Sequence, residues 1–173
     1  PYLGVMTKMI QPDGTEQYFE YDYFGLLSEQ GYVGENSETY GEISYSYSNI
    51  GELVSKTAGE EQNTYTYNLA GQVTSVTDAT GTREYTYDPQ GRLVQVAETS
   101  ASNTTTTSYT YDLRGNRLTK AAGTDTTSYT YDLNNRLLSE VEGDTTTLYE
   151  YDDRGNLVSK RKETLTDETV TTD

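Results

Sequence analysis

The chain has 173 residues, with 28 Asp and Glu against 12 Lys and Arg, so its formal net charge is −16. It contains no Cys and no His, which excludes disulfides, the usual zinc ligand sets and nucleophilic sites built on His. The negative charge argues against a nucleic-acid partner, and no apolar run approaches the roughly 20 residues of a membrane span, so membrane insertion is not expected either.

The apolar composition gives two opposite indications. Leu, Ile, Val and Phe together number 29, or 17% of the chain, which is below the roughly 20% typical of folded domains. The chain nevertheless contains 18 Tyr, whereas disordered chains are poor in aromatic residues. An ordered structure of this chain must therefore be built largely on Tyr.

A phrase recurs seven times: an aromatic residue, any residue, Tyr, then Asp, Asn or Ser, two variable residues and Gly. The intervals between successive copies are 20 to 26 residues, a regularity that is the signature of a repeat architecture. Phe19 opens the first copy, and thirteen of the 18 Tyr fill the other aromatic positions. In chain order these are Tyr21, Tyr45, Tyr47, Tyr65, Tyr67, Tyr85, Tyr87, Tyr109, Tyr111, Tyr129, Tyr131, Tyr149 and Tyr151.

Each copy predicts the first strand and the turn of a β-hairpin. Strands have a side-chain period of two, so both aromatic residues point to one face. The next four residues suit a type I turn, which prefers Asp, Asn or Ser at its first position and Gly at its fourth. The first position holds Asp22, Ser48, Asn68, Asp88, Asp112, Asp132 and Asp152, and the fourth holds Gly25, Gly51, Gly71, Gly91, Gly115, Asn135 and Gly155. Asn135 departs from Gly, but Asn also tolerates the left-handed conformation.

The turn also predicts the strand register. If Asn68 pairs with Gln72, Tyr67 faces Val73, and aromatic–aliphatic pairs of this kind contribute roughly 0.2–1 kcal/mol each. The equivalent pairs are Tyr47 with Leu53, Tyr87 with Leu93 and Tyr151 with Leu157. The fifth copy, Gly115-Asn116-Arg117-Leu118, has an extra residue before its aliphatic residue. It therefore predicts a longer loop or a wider bulge.

The remaining segments predict returning strands and polar links. Residues 5–10 are expected to return from a turn at 1–4, as the second half of a hairpin whose first strand is missing. The Thr run at 104–107 is either a flexible tip or a strand with two polar faces. The tandem repeats are predicted to span residues 1–163. Residues 164–173, rich in Thr and Asp, would be the start of a further repeat or disordered, so the chain is interpreted as a segment of a longer array.

Two recurring features allow more than one interpretation. The Tyr stripe could stack on sugars or bind a protein, but its fixed spacing relative to the turns favours a face that joins neighbouring hairpins. The recurring Asp could bind Ca²⁺, but Asn68 and Ser48 replace it, which favours a hydrogen bond to the turn backbone. Nothing marks one carboxylate pair as a glycosidase site. We therefore predict no catalytic, metal or cofactor residues and expect no enzymatic activity.

The phrases resemble YD repeats, also called Rhs repeats, most fully in the run Gly81-Thr82-Arg83-Glu84-Tyr85-Thr86-Tyr87-Asp88-Pro89-Gln90-Gly91-Arg92-Leu93. In that family, hairpins join into a continuous antiparallel sheet that spirals into a hollow shell. Such shells occur in bacterial Rhs toxins, toxin-complex components, wall-associated proteins and teneurins. The resemblance implies an all-β wall segment of a secreted or cell-surface bacterial protein. Its partners would be the other repeats of the shell and an enclosed C-terminal toxin cargo.

Two other functions remain open from the sequence. A cell-surface adhesion module would bind carbohydrate or another protein, and Tyr32 and Tyr40, in the irregular 26-residue interval, could contribute to it. A self-associating extracellular fibre is the other alternative, because a short array leaves two unpaired sheet edges that invite strand addition.

Overall fold

The computed structural model describes residues 6–34 and 37–165, which form fifteen β-strands. The strands are β1 (Lys8–Ile10), β2 (Glu16–Tyr21), β3 (Leu27–Val33), β4 (Thr39–Tyr47), β5 (Leu53–Ala58), β6 (Glu61–Tyr67), β7 (Val73–Asp78), β8 (Gly81–Tyr87), β9 (Leu93–Ser100), β10 (Asn103–Tyr111), β11 (Arg117–Ala122), β12 (Asp125–Tyr131), β13 (Leu137–Glu142), β14 (Thr145–Tyr151) and β15 (Leu157–Thr164).

The chain divides into two compact units. The first unit comprises Pro1–Glu84 with Thr99–Ser102, and the second comprises Tyr85–Glu98 with Asn103–Asp173. The strands follow one another in the sheet in chain order, and the pairs are antiparallel. The predicted fold class, all-β with tandem antiparallel hairpins, is confirmed. The spiral course of the sheet stays a prediction.

The predicted turn geometry is confirmed. Asn68 donates its backbone N–H to the Gln72 carbonyl at 2.9 Å, and Gly71 donates to the Asn68 carbonyl at 3.0 Å. Tyr67 then lies opposite Val73, with a bulge between Thr66 and Tyr67. The pairs Tyr47–Leu53 and Tyr151–Leu157 have the same register, while the pair Tyr87–Leu93 stays a prediction.

The turn position that requires a left-handed backbone has one in all seven copies. Its Gly residues have φ between 75° and 89°, and Asn135 has φ 62°. Only Gly adopts this conformation freely, and Asn is among the residues that tolerate it. The type I turn closed by a left-handed residue is the common three-residue hairpin loop with a bulge. This explains why a register shift recurs beside the second Tyr of the phrase, at Tyr21, Tyr47, Tyr67, Tyr111, Tyr131 and Tyr151.

The prediction for the fifth copy is wrong. Asp112 donates to the Asn116 carbonyl at 2.9 Å, as in the other turns, and Tyr111 lies opposite Arg117 across the same bulge. The extra residue does not lengthen the loop, because Arg117 occupies the position that an aliphatic residue holds elsewhere. Its guanidinium lies 4.4 Å from the Tyr129 ring centroid and 5.9 Å from that of Tyr109. The aliphatic part of a long basic side chain can fill an apolar position in this way.

The predictions for the two chain ends and for the Thr run have different outcomes. Residues 104–107 lie in β10, so the strand interpretation of the Thr run is correct. The returning strand predicted at 5–10 is shorter, since β1 begins at Lys8. The turn predicted at 1–4, together with Val5, lies outside the described residues. So does the predicted tail from residue 166 onward, whereas Thr164 still belongs to β15.

The strands bury little side-chain surface completely. Among the described residues, Tyr129, 7% exposed, is the only hydrophobic residue that is buried, and no large side chain is fully enclosed. Most Tyr and aliphatic side chains of the strands are half-buried between those of neighbouring strands. Each unit is thus held together by lateral contacts along the sheet, and its low Leu, Ile and Val content follows from that.

Candidate functional site

In several copies of the phrase, the second Tyr connects its hairpin to the preceding one. Its hydroxyl donates to a backbone carbonyl of the previous repeat, in most cases that of the residue opposite the previous second Tyr. We call these bonds the tyrosine ladder. They run from Tyr21 to Met6 (2.9 Å), Tyr47 to Leu27 (2.9 Å), Tyr67 to Leu53 (2.7 Å), Tyr111 to Leu93 (2.7 Å) and Tyr131 to Arg117 (3.0 Å).

The ladder requires the protonated hydroxyl, and its surroundings preserve that form. Burial raises the pKa of Tyr47, Tyr67 and Tyr131 above the usual value of a phenol. A buried hydroxyl needs a partner, and a carbonyl at the position of a strand end provides one. The sequence-based interpretation of the Tyr stripe as a face that joins hairpins agrees with these contacts.

The first Tyr of the phrase lies among charged side chains in the second unit. Arg117 covers the ring of Tyr129, which pairs with Glu140 across the strands. The Tyr149 hydroxyl donates to Glu140 at 3.1 Å, and the Lys160 ammonium lies 5.5 Å from the Tyr149 ring centroid. Cation–aromatic contacts contribute about 0.5–2 kcal/mol, depending on desolvation, so the charges here stabilise the sheet. Burial, followed by the bond to Glu140, raises the pKa of Tyr149.

The first residue of each turn caps the turn itself. Asp132 Oδ1 accepts the backbone N–H groups of Asn134 (2.8 Å) and Arg136 (2.9 Å). Asn68 Oδ1 accepts the equivalent pair, and the Ser48 hydroxyl accepts the N–H of Glu52 at 3.1 Å. The predicted structural role of the recurring Asp, Asn and Ser is confirmed by these bonds. Each predicted Tyr lies in a strand, and each predicted Asp, Gly or Asn lies in a turn.

The capping bonds also act on the Asp carboxyl groups. The side-chain amide of Asn156 and then its backbone N–H lower the pKa of Asp152, and Asn116 does the same for Asp112. For Asp132 the largest cause is the backbone N–H of Arg136. These carboxylates are ionised acceptors whose inner oxygens already hold backbone donors, which leaves them poorly suited to act as catalytic acids.

The residue after the left-handed turn position makes contacts that were not predicted from the sequence. Arg92 Nε contacts Asp88 Oδ2 at 2.6 Å, its Nη1 donates to the Asp112 carbonyl of the next turn at 2.8 Å, and its guanidinium lies over Tyr111. Arg136 makes the same contacts with Asp132, the Asp152 carbonyl and the Tyr151 ring. The recurrence of Arg-Leu after the turn at 92–93 and 136–137 was the available signal.

The irregular interval holds an aromatic pair. Tyr32 and Tyr40 face each other on β3 and β4, with ring centroids 5.6 Å apart and an interplanar angle of 22°. Tyr40 is 50% exposed and borders an open cavity of about 500 Å³, to which Asp13, Glu16 and Ser37 contribute polar groups.

Residues 6–34 and 37–165 contain neither a metal-binding cluster nor a membrane-spanning helix. No group of three or more Asp or Glu in these residues is arranged to hold a metal ion. None of the described residues forms a helix long and apolar enough to cross a membrane.

The sequence and the turn geometry agree with one family. Residues 47–83, 67–105 and 87–125 match the family model described as RHS Repeat. Residues 47–125 are Rhs repeats. The resemblance seen in the YD phrases is thereby confirmed for this part of the chain, which includes the third, fourth and fifth phrases in full. A search of curated protein sequences found no match.

Solved structures share the fold. The crystal structure of TcdB2-TccC3-Cdc42 matches with a TM-score of 0.64 and 18% identity, over 91% of this chain and 11% of that chain. TcdB2-TccC3 matches with a TM-score of 0.65 and 18% identity over the same shares. The Photorhabdus luminescens Tc holotoxin pore matches with a TM-score of 0.62 and 17% identity, over 94% and 9%. The chain therefore spans about a tenth of the length of the chains whose fold it shares.

Proposed function

We propose that this chain is a non-catalytic wall segment of a secreted or surface-exposed bacterial Rhs-repeat protein. The wall belongs to a hollow β-shell that encapsulates a C-terminal toxin cargo. The tyrosine ladder carries the proposal: its bonds join successive hairpins along the sheet, and the strands stay half-buried, as a sheet that encloses space requires. The shared fold with the Tc toxin structures supports it.

The ladder explains how such a wall extends. A single two-stranded hairpin is at best marginally stable in water. Here the hairpin that contains Tyr67 gains a ladder hydrogen bond to Leu53 and strand pairing with its predecessor. The free energy of the array is then approximately a sum of repeat and neighbour-interface contributions, as in other repeat proteins. Length can grow without a thicker core.

The absence of catalysis is part of the same proposal. The carboxylates that recur with the repeat cap their own turns, and the hydroxyls that recur with it bind neighbouring carbonyls. These groups hold the wall together, and a reaction at them would compete with that role.

Limited proteolysis tests the encapsulation. The full product of the gene that encodes this chain is digested, and we expect the segment that follows the repeats to resist cleavage until the wall is opened with denaturant. The double variant Tyr67→Phe/Tyr111→Phe should lower the denaturant concentration at which that segment is cut. A product with no protected segment, or with protection that the wall variants leave unchanged, would contradict encapsulation.

A second candidate, saccharide binding, is favoured by the cavity beside Tyr40. A half-exposed ring next to Asp13, Glu16 and Ser37 offers a stacking surface and hydrogen-bond acceptors, the combination that sugar rings require. Glycan-array screening of the intact chain tests it, with Tyr40→Ala as the site variant and Tyr23→Ala, at a distant exposed turn, as the matched control. Loss of a glycan signal in Tyr40→Ala alone would support adhesion, and no signal in the unmodified chain would refute it.

A further inference from the structure

The first unit exposes apolar side chains at three successive turns. We define the first turn edge as Tyr23, Phe24, Ile50 and Leu69, which occupy the two central positions of these turns. Their exposed fractions are 87%, 75%, 77% and 110%. Tyr23 and Phe24 contact each other edge to face, with centroids 5.5 Å apart. Turn tips are usually polar, so four large apolar side chains here need a physical reason.

These side chains form one row. Consecutive turns touch, because Leu26 Cδ1 lies 3.7 Å from the position that a Cβ on Gly51 would occupy, and Glu52 Oε1 lies 3.8 Å from the equivalent position on Gly71. Turns of adjacent hairpins are two strands apart, roughly 10 Å. The large side chains are therefore near neighbours along the edge. A row of exposed apolar side chains of this kind is more typical of an interaction surface than of the surface of a monomer.

The second unit has a corresponding edge with a different charge. We define the second turn edge as Leu113, Arg114 and Leu133. The two Leu are 107% and 84% exposed, and Arg114 Nη1 donates to the Leu133 carbonyl at 2.9 Å, which holds the guanidinium along the row. On the first turn edge the nearby charged groups are the carboxylates of Asp22 and Glu52, and its turns contain no Arg.

The opposite ends of the hairpins differ from both turn edges. The links there present polar side chains, and Glu60, Thr80, Thr124 and Asp144 are all exposed. These four link positions are polar where the turns are apolar, while Ile10 and Leu165, next to other links, are also exposed.

We propose that the first turn edge of one copy of this chain packs against the second turn edge of another copy. Apolar side chains would interdigitate along the row, and Glu52 would face Arg114. The two aromatic side chains of the first edge alone present roughly 300 Å². With Ile50 and Leu69 the row becomes a large part of the roughly 800 Å² per partner of a stable interface.

This association is distinct from strand addition. It uses side chains at turn tips and leaves the hydrogen-bonding edges of β1 and β15 untouched. It goes beyond the proposed wall function, because two copies can pair in this way whether or not a cargo is enclosed.

Sedimentation velocity over a range of concentrations tests the contact on the intact chain. We expect reversible association, and Leu69→Asp should raise the dissociation constant by at least about tenfold, since it replaces an exposed apolar anchor by a charge. Leu69 is fully exposed, so the variant should keep its far-UV circular dichroism. Thr124→Asp adds the same charge at the link end and should leave association unchanged.

A charge exchange identifies the partner edge. Glu52→Arg and Arg114→Glu should each weaken association about tenfold, and the double variant should recover most of it. A monomer at every concentration would overturn the proposal. So would a complex that survives Leu69→Asp, a result that indicates strand addition. Cargo protection in the proteolysis experiment does not depend on these residues, so the two proposals fail separately.

Discussion

The two units form the same turn but fasten successive turns differently. The residue after the left-handed turn position is Leu26, Glu52 or Gln72 in the first unit, and Arg92, Asn116 or Arg136 at the next three turns. Backbone closure is the same in all of them, with hydrogen bonds of 2.8–3.2 Å. The capping residue and the left-handed residue therefore set the turn, while the residue after it determines what holds one turn to the next.

The comparison is clearest between the third and sixth turns. Gln72 Oε1 accepts the Asn68 side-chain amide at 3.0 Å, a bond inside its own turn. Arg136 pairs with Asp132 in its own turn and also donates to the Asp152 carbonyl of the next one at 3.2 Å. A long planar side chain with several donors can serve two turns at once. Repeats can thus diverge at this position without losing their hairpin geometry.

The largest expected effect is at the first Tyr of the phrase. Tyr129→Ala should destabilise the second unit by about 3 kcal/mol, because the ring is buried under Arg117. The equivalent Tyr65→Ala in the first unit should have about half that effect, since Tyr65 is half-buried and pairs with Val76. Urea unfolding measures both, and hydrogen exchange assigns each loss to its unit. Equal losses would show that the charged row around Tyr129 contributes nothing.

The tyrosine ladder should be equivalent in both units. Tyr67→Phe and Tyr111→Phe each remove a hydroxyl that donates at 2.7 Å and leave a carbonyl unpaired, so each should destabilise the chain by about 1 kcal/mol. Urea unfolding of the two variants gives the comparison. A difference of more than about 1 kcal/mol between them would contradict the equivalence of the repeats.

The contact between successive turns should be transferable from one unit to the other by exchanging the residue after the turn. Arg136→Gln, which imports the first-unit residue, should destabilise the second unit by about 1 kcal/mol through loss of a bond to the next turn. Conversely, Ser48→Asp with Glu52→Arg should raise the stability of the first unit by a few tenths of a kcal/mol. Thermal unfolding of the double variant against Glu52→Arg alone separates the pair from the simple change of charge. If the double variant is no more stable than Glu52→Arg alone, an Asp and an Arg placed at these two positions are not sufficient to form the contact.

The smallest expected effect is a loss of stability at acidic pH, and it concerns mainly the second unit. All four of its turns begin with Asp, whereas Ser48 and Asn68 in the first unit cannot titrate. A carboxyl whose folded pKa is lowered, as for Asp132 and Asp152, stabilises the fold above its unfolded pKa near 4 and loses that contribution as pH falls further. Unfolding monitored between neutral pH and pH 3 should show this loss.

The control for the acid effect is Asp132→Asn, which keeps the cap because an Asn oxygen accepts the same two N–H groups at Asn68. Its stability should fall less steeply with decreasing pH than that of the unmodified chain. If the slope of stability against pH is unchanged in this variant, the acid dependence arises from groups other than Asp132.

Local rules account for what was predictable. Tyr67, Asn68 and Gly71 lie within a few residues of each other, so strand period, turn preference and the left-handed position determine their hairpin without reference to the rest of the fold. The role of Asp132 as a cap could be predicted from the sequence for the same reason. The wrong prediction at Arg117 came from treating the position as strictly aliphatic, since its occupancy depends on Tyr129, which belongs to the next repeat.

The sequence by itself determined the repeat, the turn type, the register and, through the YD phrases, the family. Only the tertiary structure decided which carbonyl each Tyr hydroxyl binds, how Arg136 spans two turns and which turn tips remain exposed. The physical reason is the separation along the sequence between the residues that contact each other. Hairpin geometry depends on contacts between residues a few positions apart. The ladder and the turn contacts join residues about 14 to 20 positions apart, whose meeting requires that neighbouring hairpins pair side by side.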